Sequence, residues 1–438
     1  MKLTNITVKG FRNIKNVSIE LKNLLSFVSI NNYGKSNLLR AMDFALEFVT
    51  QNEKIRNRMM GFTGGIPLNQ HMENDNFYFQ IEGVNENKAY THFKYGYEFV
   101  WHKDDKSGNK IINEWLDVKE DNSSHYKKLF YRKNNQFKKD VKTKYKTKLK
   151  LSDTQLIIDF LSSVEDLKYS ELINYIKNIK YSYCSLLDAN PNFEPIPFHL
   201  LGEEEIVPYN DRDIPRALYF LNENNPKKFK SFKSSIFRLF PEFEDISFNK
   251  KEIEARMTKK ILLTTMDDES EDILPPTLVK DQIYQIFIKH KFLNQPISME
   301  RMSAGTKIIF WILLNVLLSD ENNVQILAIE ELETSIHPGL LKKLLEEIDM
   351  LTQNTNILIS SHSTNILQYL RHDQIYIGTP NKFGIAEFSK VKSSKFSKLN
   401  NLAHSLGMSY GEYIFNYISQ CDEDQYQHIK TILEEVND

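Results

Sequence analysis

Apolar and polar residues alternate along the N-terminal end of the chain, which is the pattern of strands with one buried face. Residues 2–8 and 17–21 follow this pattern, and the uninterrupted apolar run 24–30 is typical of a strand buried on both faces. A helix is predicted from about Ser36 to Val49, because apolar residues there recur with helical periodicity. The chain therefore opens with strands, a loop and a helix.

The middle of the chain carries two different patterns. Segments 77–81 and 93–101 alternate and predict strands of an antiparallel meander. Helical periodicity follows in 151–180 and again in 214–240, where it ends at a proline. These patterns predict an insertion that is mixed at first and then largely helical.

The C-terminal part returns to strand–loop–helix units. A long apolar helix begins near Ser303, and buried strands are predicted at 324–329 and 356–360, with a helix at 338–350 between them. Buried strands alternating with amphipathic helices indicate an α/β fold, here with a mixed, mostly parallel sheet, an antiparallel β-meander and a largely helical insertion. The predicted parts are 1–120, 121–290 and 291–438.

Composition narrows the functional classes. The chain has 438 residues, 41% of them hydrophobic, and its net charge of −2 excludes a globally basic nucleic-acid-binding protein. Its two cysteines, Cys184 and Cys421, are too few and too far apart for a disulfide scaffold or a structural zinc site. No apolar run approaches the roughly 18 residues of a membrane span, and the N-terminus lacks a signal-peptide pattern. We therefore expect a cytoplasmic protein.

The loop after the first buried strand has the chemistry of a phosphate-binding loop. Residues 29–36 read SINNYGKS and match the pattern GxxxxGK[ST] except at Ser29, where glycine is usual. Backbone N–H groups at a helix N-terminus can hold a phosphate. Lys35 would reach the β- and γ-phosphates, and the Ser36 hydroxyl would bind Mg²⁺. The alternative is an ordinary strand–helix turn, and Ser29 favours it because glycine allows backbone geometries that serine tolerates less well.

A second candidate lies at the end of the strand 324–329, which runs directly into two carboxylates. Acidic residues at the C-terminal end of a parallel strand lie where α/β sheets bind ligands. Glu330 would hold Mg²⁺, and Glu331 would polarise the attacking water as a general base. Aspartate is usual at the first of these positions, so Glu330 is a second departure. The alternative is a strand end with solvated acids.

Two weaker motifs complete the series. Ser303-Ala304-Gly305-Thr306-Lys307 opens the apolar helix, and Ser361-His362-Ser363 follows the last buried strand. Each alone is also compatible with a helix cap or a loop histidine. All four motifs nevertheless occur in one order and in the predicted secondary-structure context, which indicates a nucleotide site.

In this combination the chain resembles ABC-type ATPases of the SMC/RecF/OLD branch, most of all the single-chain AAA-type ATPases of bacterial anti-phage defence loci, such as the PARIS and Septu ATPase subunits. The resemblance covers about half of the chain, at both ends and in the meander. It implies an ABC-type ATPase head formed by 1–120 and 291–438, with 121–290 inserted. The segments that carry it are FRNIKNVSIEL, NNYGKSNLL, FKYGYEFVW, ERMSAGTK, IEELETSIHPGLL and ISSHSTNIL.

The resemblance also implies roles for individual residues, with ATP and Mg²⁺ as the bound species. The implied catalytic residues are Lys35, Glu331 and the switch histidine His362, and the implied metal ligands are Ser36 and Glu330. The Q-loop glutamine stays unassigned between Gln70 and Gln80. The implied nucleotide-binding residues are Arg12, Asn13, Asn31, Asn32, Tyr33, Gly34, Lys35, Ser36, Asn37, Ser303 and Gly305.

In relatives the signature motif contacts the nucleotide of the other protomer, so the resemblance implies a homodimer or a higher homo-oligomer. Only 76 residues follow His362, too few for the TOPRIM nuclease domain of OLD proteins. We therefore expect an ATP-hydrolysing, nucleotide-gated subunit that controls a separate effector, a nuclease or a toxin, in an anti-phage system. The alternatives are a DNA-associated repair-type clamp and a non-hydrolysing ATP-binding scaffold, the latter favoured by Ser29 and Glu330.

One segment bears on nucleic acid. Lys127–Lys150 contains eleven basic residues against the single acid Asp140, and its second half alternates lysine with other residues, so a strand there would carry the lysines on one face. Such a face could follow a phosphate backbone. A solvated edge strand, protected from pairing by its lysines, is the alternative.

Overall fold

The computed structural model describes most of the chain. No helix among the residues it describes combines the length and apolar character needed to cross a membrane. The described residues are 1–62, 65–85, 90–120, 125–134, 136–139, 151–162, 169–185, 193–194, 213–257, 260–265, 268–273, 277–419 and 432–433.

Two compact units make up the chain. The first combines 1–186, 319–334 and 352–438, and the second combines 187–318 and 335–351. The three parts expected from the sequence stay a prediction.

The described strands are β1 (Lys2–Phe11), β2 (Ile14–Glu20), β3 (Leu24–Val28), β4 (Phe77–Val84), β5 (Tyr90–Val100), β6 (Lys110–Glu120), β7 (Lys127–Lys133), β8 (Gln136–Lys139), β9 (Tyr181–Ser185), β10 (Phe243–Met257), β11 (Lys260–Thr265), β12 (Asp268–Ile273), β13 (Thr277–His290), β14 (Ile297–Ser298), β15 (Ile326–Glu330), β16 (Asn356–Ser361), β17 (Ile375–Pro380) and β18 (Ala386–Ser389). The described helices are α1 (Lys35–Thr50), α2 (Glu53–Met59), α3 (Ile157–Ser162), α4 (Ser170–Lys177), α5 (Ile214–Asn224), α6 (Pro226–Leu239), α7 (Ala304–Glu321), α8 (Pro338–Leu351), α9 (Thr364–Tyr369), α10 (Ser393–Ser405) and α11 (Tyr410–Ser419).

The first unit is built on one large mixed sheet, so the predicted α/β class is confirmed. Within the described residues this sheet has 13 strands in the order β8-β7-β6-β5-β4-β1-β2-β18-β17-β3-β16-β15-β9. The strands β17, β3, β16, β15 and β9 are parallel, and β1 with β4 to β8 forms the predicted antiparallel meander. Every residue of β3, β15 and β16 is buried, as their uninterrupted apolar sequences require.

A buried carboxylate joins the meander to the helix that follows it. Glu114 on β6 is completely buried and accepts hydrogen bonds from the backbone N–H groups of Ile157 (2.5 Å) and Ile158 (3.1 Å) at the start of α3, and from the Tyr95 hydroxyl (3.2 Å). Burial raises the pKa of Glu114 to about 7. The first orphan donors of α3 are therefore satisfied by a strand of the sheet.

The second unit contains more β-strand than the sequence predicts. Helices α5 and α6 confirm the helical pattern of 214–240, but the prediction of a largely helical insertion is wrong for 243–290, where β10 and β13 pair along their whole lengths. The burial of Tyr284, Ile286 and Ile288 shows why: apolar residues there recur every second position, which is the period of a strand.

The basic segment is only partly described. Lys127, Lys128 and Lys133 are exposed on β7, and β8 carries Lys138 and Lys139 at the edge of the described sheet. Residues 140–150, where the alternation of lysine is strongest, lie outside the described residues, so the predicted phosphate-binding face stays a prediction.

Candidate functional site

The C-terminal edge of the five parallel strands brings most of the candidate residues together. The loop 29–34 follows β3, Glu330 ends β15, and His362 follows β16. The turn between β17 and β18 reaches the same edge, and the turn between β1 and β2 lies beside it, since Ala386 pairs with Ile14. All of these elements belong to the first unit, and this edge is where α/β sheets bind ligands.

The loop and the start of α1 form an anion-binding geometry. Asn32 (φ 63°) and Gly34 (φ 95°) are left-handed, and Gly34 has no room for a side chain because a Cβ there would lie 2.7 Å from the Ala386 Cβ. Within α1, which is described throughout, the first turn has no side-chain cap and no acidic residue. Its N–H groups therefore face the loop, and the Ser36 side chain beside them is exposed.

Ser29 fits the loop without left-handed backbone, since it is not among the described residues with positive φ. Its side chain is completely buried and donates to the Ile30 carbonyl (3.0 Å). The neighbouring strand β17 makes the room, because a Cβ on Gly378 would lie 2.8 Å from the Ser29 Cβ. The departure from glycine at position 29 is thus matched by a glycine at position 378.

Lys35 is buried at the centre of the site. Its ammonium donates to the carbonyls of Ser29 (2.8 Å) and Ile30 (3.0 Å), so it is held by oxygens of the loop itself. Burial lowers the pKa of Lys35, and the nearby charges of Glu331, Glu333 and Glu330 oppose this effect. The lysine therefore lies within electrostatic reach of the acidic strand end.

The turn between β1 and β2 is fastened to α1 by an amide bridge. The Arg12 guanidinium donates to the Asn37 Oδ1 (2.8 Å), and the Asn37 amide donates to the Asn13 Oδ1 (2.8 Å). Arg12 is left-handed (φ 52°) and buried, and burial followed by the charge of Arg40 lowers its pKa. Arg12, Asn13 and Asn37 are thus brought together beside the loop, and their part in nucleotide binding stays a prediction.

The acidic strand end holds two different carboxylates. Glu330 is buried, and its Oε1 has no hydrogen-bond partner in the part of the chain that the structure describes. Glu331 is left-handed (φ 48°), a backbone conformation that is unusual for glutamate, and its N–H donates to the Ser360 carbonyl on β16 (2.9 Å). The buried carboxylate of Glu330 suits a cation. The carboxylate of Glu331 is half-buried, and its direction is set by the left-handed backbone of the same residue.

These residues fit Mg²⁺. The buried, unpartnered Glu330 Oε1 and the exposed Ser36 hydroxyl are oxygen donors of the kind that this hard cation prefers. Among the described residues no cluster of three or more His, Cys, Asp or Glu side chains could hold a metal ion. Mg²⁺ that is shared with substrate phosphates uses one or two protein ligands and completes its shell with phosphate oxygens and water.

Glu333 is a residue that sequence reasoning missed. Its Oε1 accepts hydrogen bonds from the Ser361 hydroxyl (2.7 Å) and from the His362 backbone N–H (3.1 Å), so it fixes the loop that carries the histidine. The His362 Nδ1 lies 3.7 Å from Glu331 Oε1 and 3.8 Å from Glu333 Oε1. The available signal was the third acid of the EELE run, two positions beyond the general-base candidate.

Tyr183 and Arg40 were also missed. Tyr183 lies on β9, which pairs with β15, and burial together with the Glu330 carboxylate raises the pKa of its hydroxyl. The Arg40 guanidinium lies 5.2 Å from the centre of its ring. The metal candidate Glu330 therefore has an aromatic hydroxyl as a neighbour, and the ring of that tyrosine has a cation beside it. No sequence pattern identifies these two residues, because the pairing of β9 with β15 joins distant parts of the chain.

The remaining candidates are placed as follows. In the second unit, Ser303 caps α7, accepting from the Thr306 N–H (3.2 Å), and Gly305 has no room for a side chain because a Cβ there would lie 2.7 Å from the Ser335 carbonyl oxygen. Gln80 lies on β4, bonded to Tyr78 and Glu82. In the first unit, the loop residues Asn31 and Asn32 are exposed, Tyr33 is half-buried, and Gln70 is exposed.

Comparison with known proteins gives a family match. Residues 30–368 match the sequence model of AAA_21, whose description reads "AAA domain, putative AbiEii toxin, Type IV TA system". No curated protein matches the chain.

Among solved structures, the fold is similar to SMC heads. The SmcHead bound to the C-winged helix domain of ScpA has 13% identity and a TM-score of 0.43, covering 91% of this chain and 100% of that one. The SMC head domain from Thermotoga maritima has 12% identity and a TM-score of 0.43, covering 90% and 100%. A Pyrococcus furiosus Smc head domain with an extended coiled coil, bound to the C-terminal domain of ScpA, has 12% identity and a TM-score of 0.41, covering 92% and 99%.

Proposed function

Because the chain belongs to the AAA_21 family of AAA domains, we propose that it binds ATP with Mg²⁺ and hydrolyses it. The observation that carries the proposal is the convergence, at one sheet edge, of a phosphate-type loop with its buried Lys35 and the carboxylates of Glu330, Glu331 and Glu333. A site that combines an anion-binding helix start with acids whose charges reach its lysine is suited to a phosphate–cation complex.

In this mechanism the chain's residues mainly position and stabilise charge. The N–H groups of the loop and the Lys35 ammonium hold the phosphates, and Lys35 exchanges its two loop carbonyls for phosphate oxygens. Glu331 accepts the proton of the attacking water as general base, and His362 contacts the γ-phosphate. Ser36 and Glu330 would hold Mg²⁺, which neutralises phosphate charge when it is bound.

Glu333 is a positioning residue in this mechanism. It holds Ser361 and the His362 backbone through one carboxylate oxygen, so the histidine loop keeps its place beside Glu331.

The non-hydrolysing scaffold remains the alternative from another class, and Glu330 in place of aspartate is the residue that favours it. The structure weakens the other argument for it, because Ser29 fits without left-handed backbone.

We further propose that Ser303 and Gly305 act on the nucleotide of a second copy of the chain. The exposed Ser303 opens α7, and the start of a helix favours an added phosphate charge. ATP would then hold two chains together, and hydrolysis would release them.

Mixing two inactive variants tests both the ATPase activity and the two-chain site. In Ser303→Asp the new carboxylate still caps α7 but repels phosphate, whereas a substitution at Gly305 would displace the Ser335 backbone. We expect Mg²⁺-dependent phosphate release from wild type, almost none from Ser303→Asp or Lys35→Ala alone, and partial recovery when the two are mixed. Recovery is expected because one site of the mixed dimer keeps both Lys35 and Ser303.

Ser409→Asp, which changes another serine that accepts a hydrogen bond from a backbone N–H near a helix start, is the control and should keep full turnover. A mixture as inactive as its parts would rule out action between chains. If wild type itself released no phosphate, the hydrolytic proposal would be wrong.

The output of the ATPase is proposed to be control of a separate effector in a defence system. The support is the resemblance of the motifs and the toxin–antitoxin term in the family description. A tagged Glu331→Gln chain, purified from its native host with ATP, should retain a stoichiometric nuclease or toxin that mass spectrometry identifies. A bare oligomer that carries DNA would contradict this and favour the repair-type clamp, with the lysines of β7 and β8 as its first candidates.

A further inference from the structure

The order of strands fixes the direction in which a bound nucleotide would extend. The loop after β3 lies between β16 and β15 on one side and β17, β18 and β2 on the other. Glu331 and His362 follow β15 and β16, so the proposed mechanism puts the terminal phosphate on that side. The nucleoside must then extend toward the opposite side, where the turns between β17 and β18 and between β1 and β2 reach the edge.

The turn between β17 and β18 is rigid. The Asn381 Oδ1 accepts the backbone N–H groups of Phe383 (3.0 Å) and Ile385 (3.0 Å). From outside the turn, the Asn69 amide donates to the Phe383 carbonyl (2.8 Å), and the Asn13 amide donates to the Gly384 carbonyl (3.3 Å). The Phe383 ring is thus held in a turn whose backbone is fastened at four points.

This turn is also close to the phosphate loop. Asn13, which bonds to Gly384, accepts a hydrogen bond from Asn37 on the first turns of α1, and its side chain lies 3.1 Å from the position of a Cβ on Gly34. Asn13 therefore links the phosphate loop to the residue that follows Phe383.

The turn presents a partly exposed aromatic ring. Phe383 is 46% exposed, and its ring meets the exposed His71 ring edge-on with 4.7 Å between the ring centres. It lines a cleft of about 950 Å³ whose other lining residues include Asn74, Asn76 and Asn381 and several charged side chains. A flat apolar face beside amide groups matches a nucleobase, which has a stacking face and a polar edge.

We propose that Phe383, with His71 beside it, is the stacking platform for the base of the bound nucleotide. The inference rests on the proposed function, since it assumes that the loop holds the phosphates of a nucleotide. Phe383 would then distinguish a nucleotide from a bare polyphosphate.

A second exposed phenylalanine supplies the matched control. Phe62 is 61% exposed and lines a different cavity, of about 350 Å³, together with Arg12 and the α1 residues Arg40 and Asp43. Its backbone N–H bonds to the Met59 carbonyl of its own helical segment. Phe383, by contrast, lies in a turn that Asn13 links to the phosphate loop, and this favours it over Phe62.

The test compares ADP with pyrophosphate, because the two differ by the nucleoside and neither is hydrolysed here. Titration calorimetry with Mg²⁺ should show Phe383→Ala weakening ADP binding by about tenfold while pyrophosphate binding is unchanged, as expected for the loss of one stacking contact. Phe383→Trp should keep the ADP affinity, and Phe62→Ala should bind both ligands like wild type.

Three results would overturn the platform. These are an unchanged ADP affinity in Phe383→Ala, an equal loss for both ligands, which would mean that the ring only supports the turn, and a selective loss of ADP in Phe62→Ala. The proposed function is tested separately in the same titrations: if Lys35→Ala bound ADP as well as wild type, the loop would not hold phosphate, and both proposals would fail.

Discussion

Glu331→Gln should lower the rate of ATP hydrolysis by roughly two to four orders of magnitude, the range that a general base contributes. Glutamine keeps the size of the side chain but cannot accept the proton of the attacking water. The backbone N–H of residue 331 would still bond to Ser360, so the turn should persist. Single-turnover phosphate release at saturating ATP measures the effect directly.

The same variant should keep its nucleotide. Lys35, Ser36 and Glu330 are unchanged, so ATP binding with Mg²⁺ is expected to stay close to wild type, and bound ATP should persist after gel filtration. Glu346→Gln, an exposed glutamate of α8, is the control and should hydrolyse ATP normally. Equal rates in wild type and Glu331→Gln would assign Glu331 no catalytic part, and equal background rates would establish the non-hydrolysing scaffold.

The local parts of this site can be read from the sequence because short-range rules determine them. An apolar run long enough for a strand, followed by a loop with glycine and lysine and then by helical periodicity, defines the backbone of residues 24–50. The position of the acids at 330 and 331 can be predicted in the same way, because polar side chains follow a buried strand where it reaches the surface. The structure places all of these at one sheet edge, while their individual roles stay predictions.

The supporting residues could not be predicted, because long-range strand pairing places them. Tyr183 comes near Glu330 only because β9 pairs with β15 across more than a hundred residues of sequence. Glu333 accepts a hydrogen bond from the histidine loop only because β16 lies next to β15. Gly378 likewise accommodates Ser29 through the pairing of β17 with β3, so a departure that looked unfavourable alone is compensated elsewhere.

The misjudged part of the insertion has a different cause. The periodicity of 214–240 is helical, and the strand that begins at Phe243 follows directly after it. Charged residues interrupt the apolar positions of β10, including Lys250, Lys251 and Glu252, so the strand lacks a continuous apolar face. The hydrogen-bonded pairing of β10 with β13, rather than burial of an apolar face, accounts for the strand conformation of β10.

Arg56→Met should lower the free energy of unfolding of the first unit by about 3–5 kcal/mol, the usual cost of removing one partner of a buried ion pair. Arg56 on α2 is completely buried and forms a two-pronged ion pair with Asp159 on α3. Its guanidinium also donates to the carbonyls of Phe48 (2.8 Å) and Val49 (3.1 Å), which belong to the last turn of α1 and have no helical partner.

Methionine can fill the volume but supplies none of these donors, so the variant leaves two buried carbonyls and one carboxylate short of partners. Asp159 keeps Lys177 (2.8 Å), which limits the loss. Burial alone would raise the pKa of Asp159, but Arg56 and Lys177 lower it. The wild-type pair should therefore stabilise the unit at neutral pH and be lost only as acid protonates Asp159.

Chemical denaturation of wild type, Arg56→Met and Arg58→Met measures the effect, because Arg58 is exposed on the same helix and should tolerate the change. Arg56→Lys is expected to fall between wild type and Arg56→Met, since an ammonium keeps the charge but cannot reach two carbonyls and a carboxylate at once. Equal stability of the two methionine variants would contradict the argument. The outcome bears on the site, because the helix whose C-terminal carbonyls Arg56 satisfies begins at Lys35.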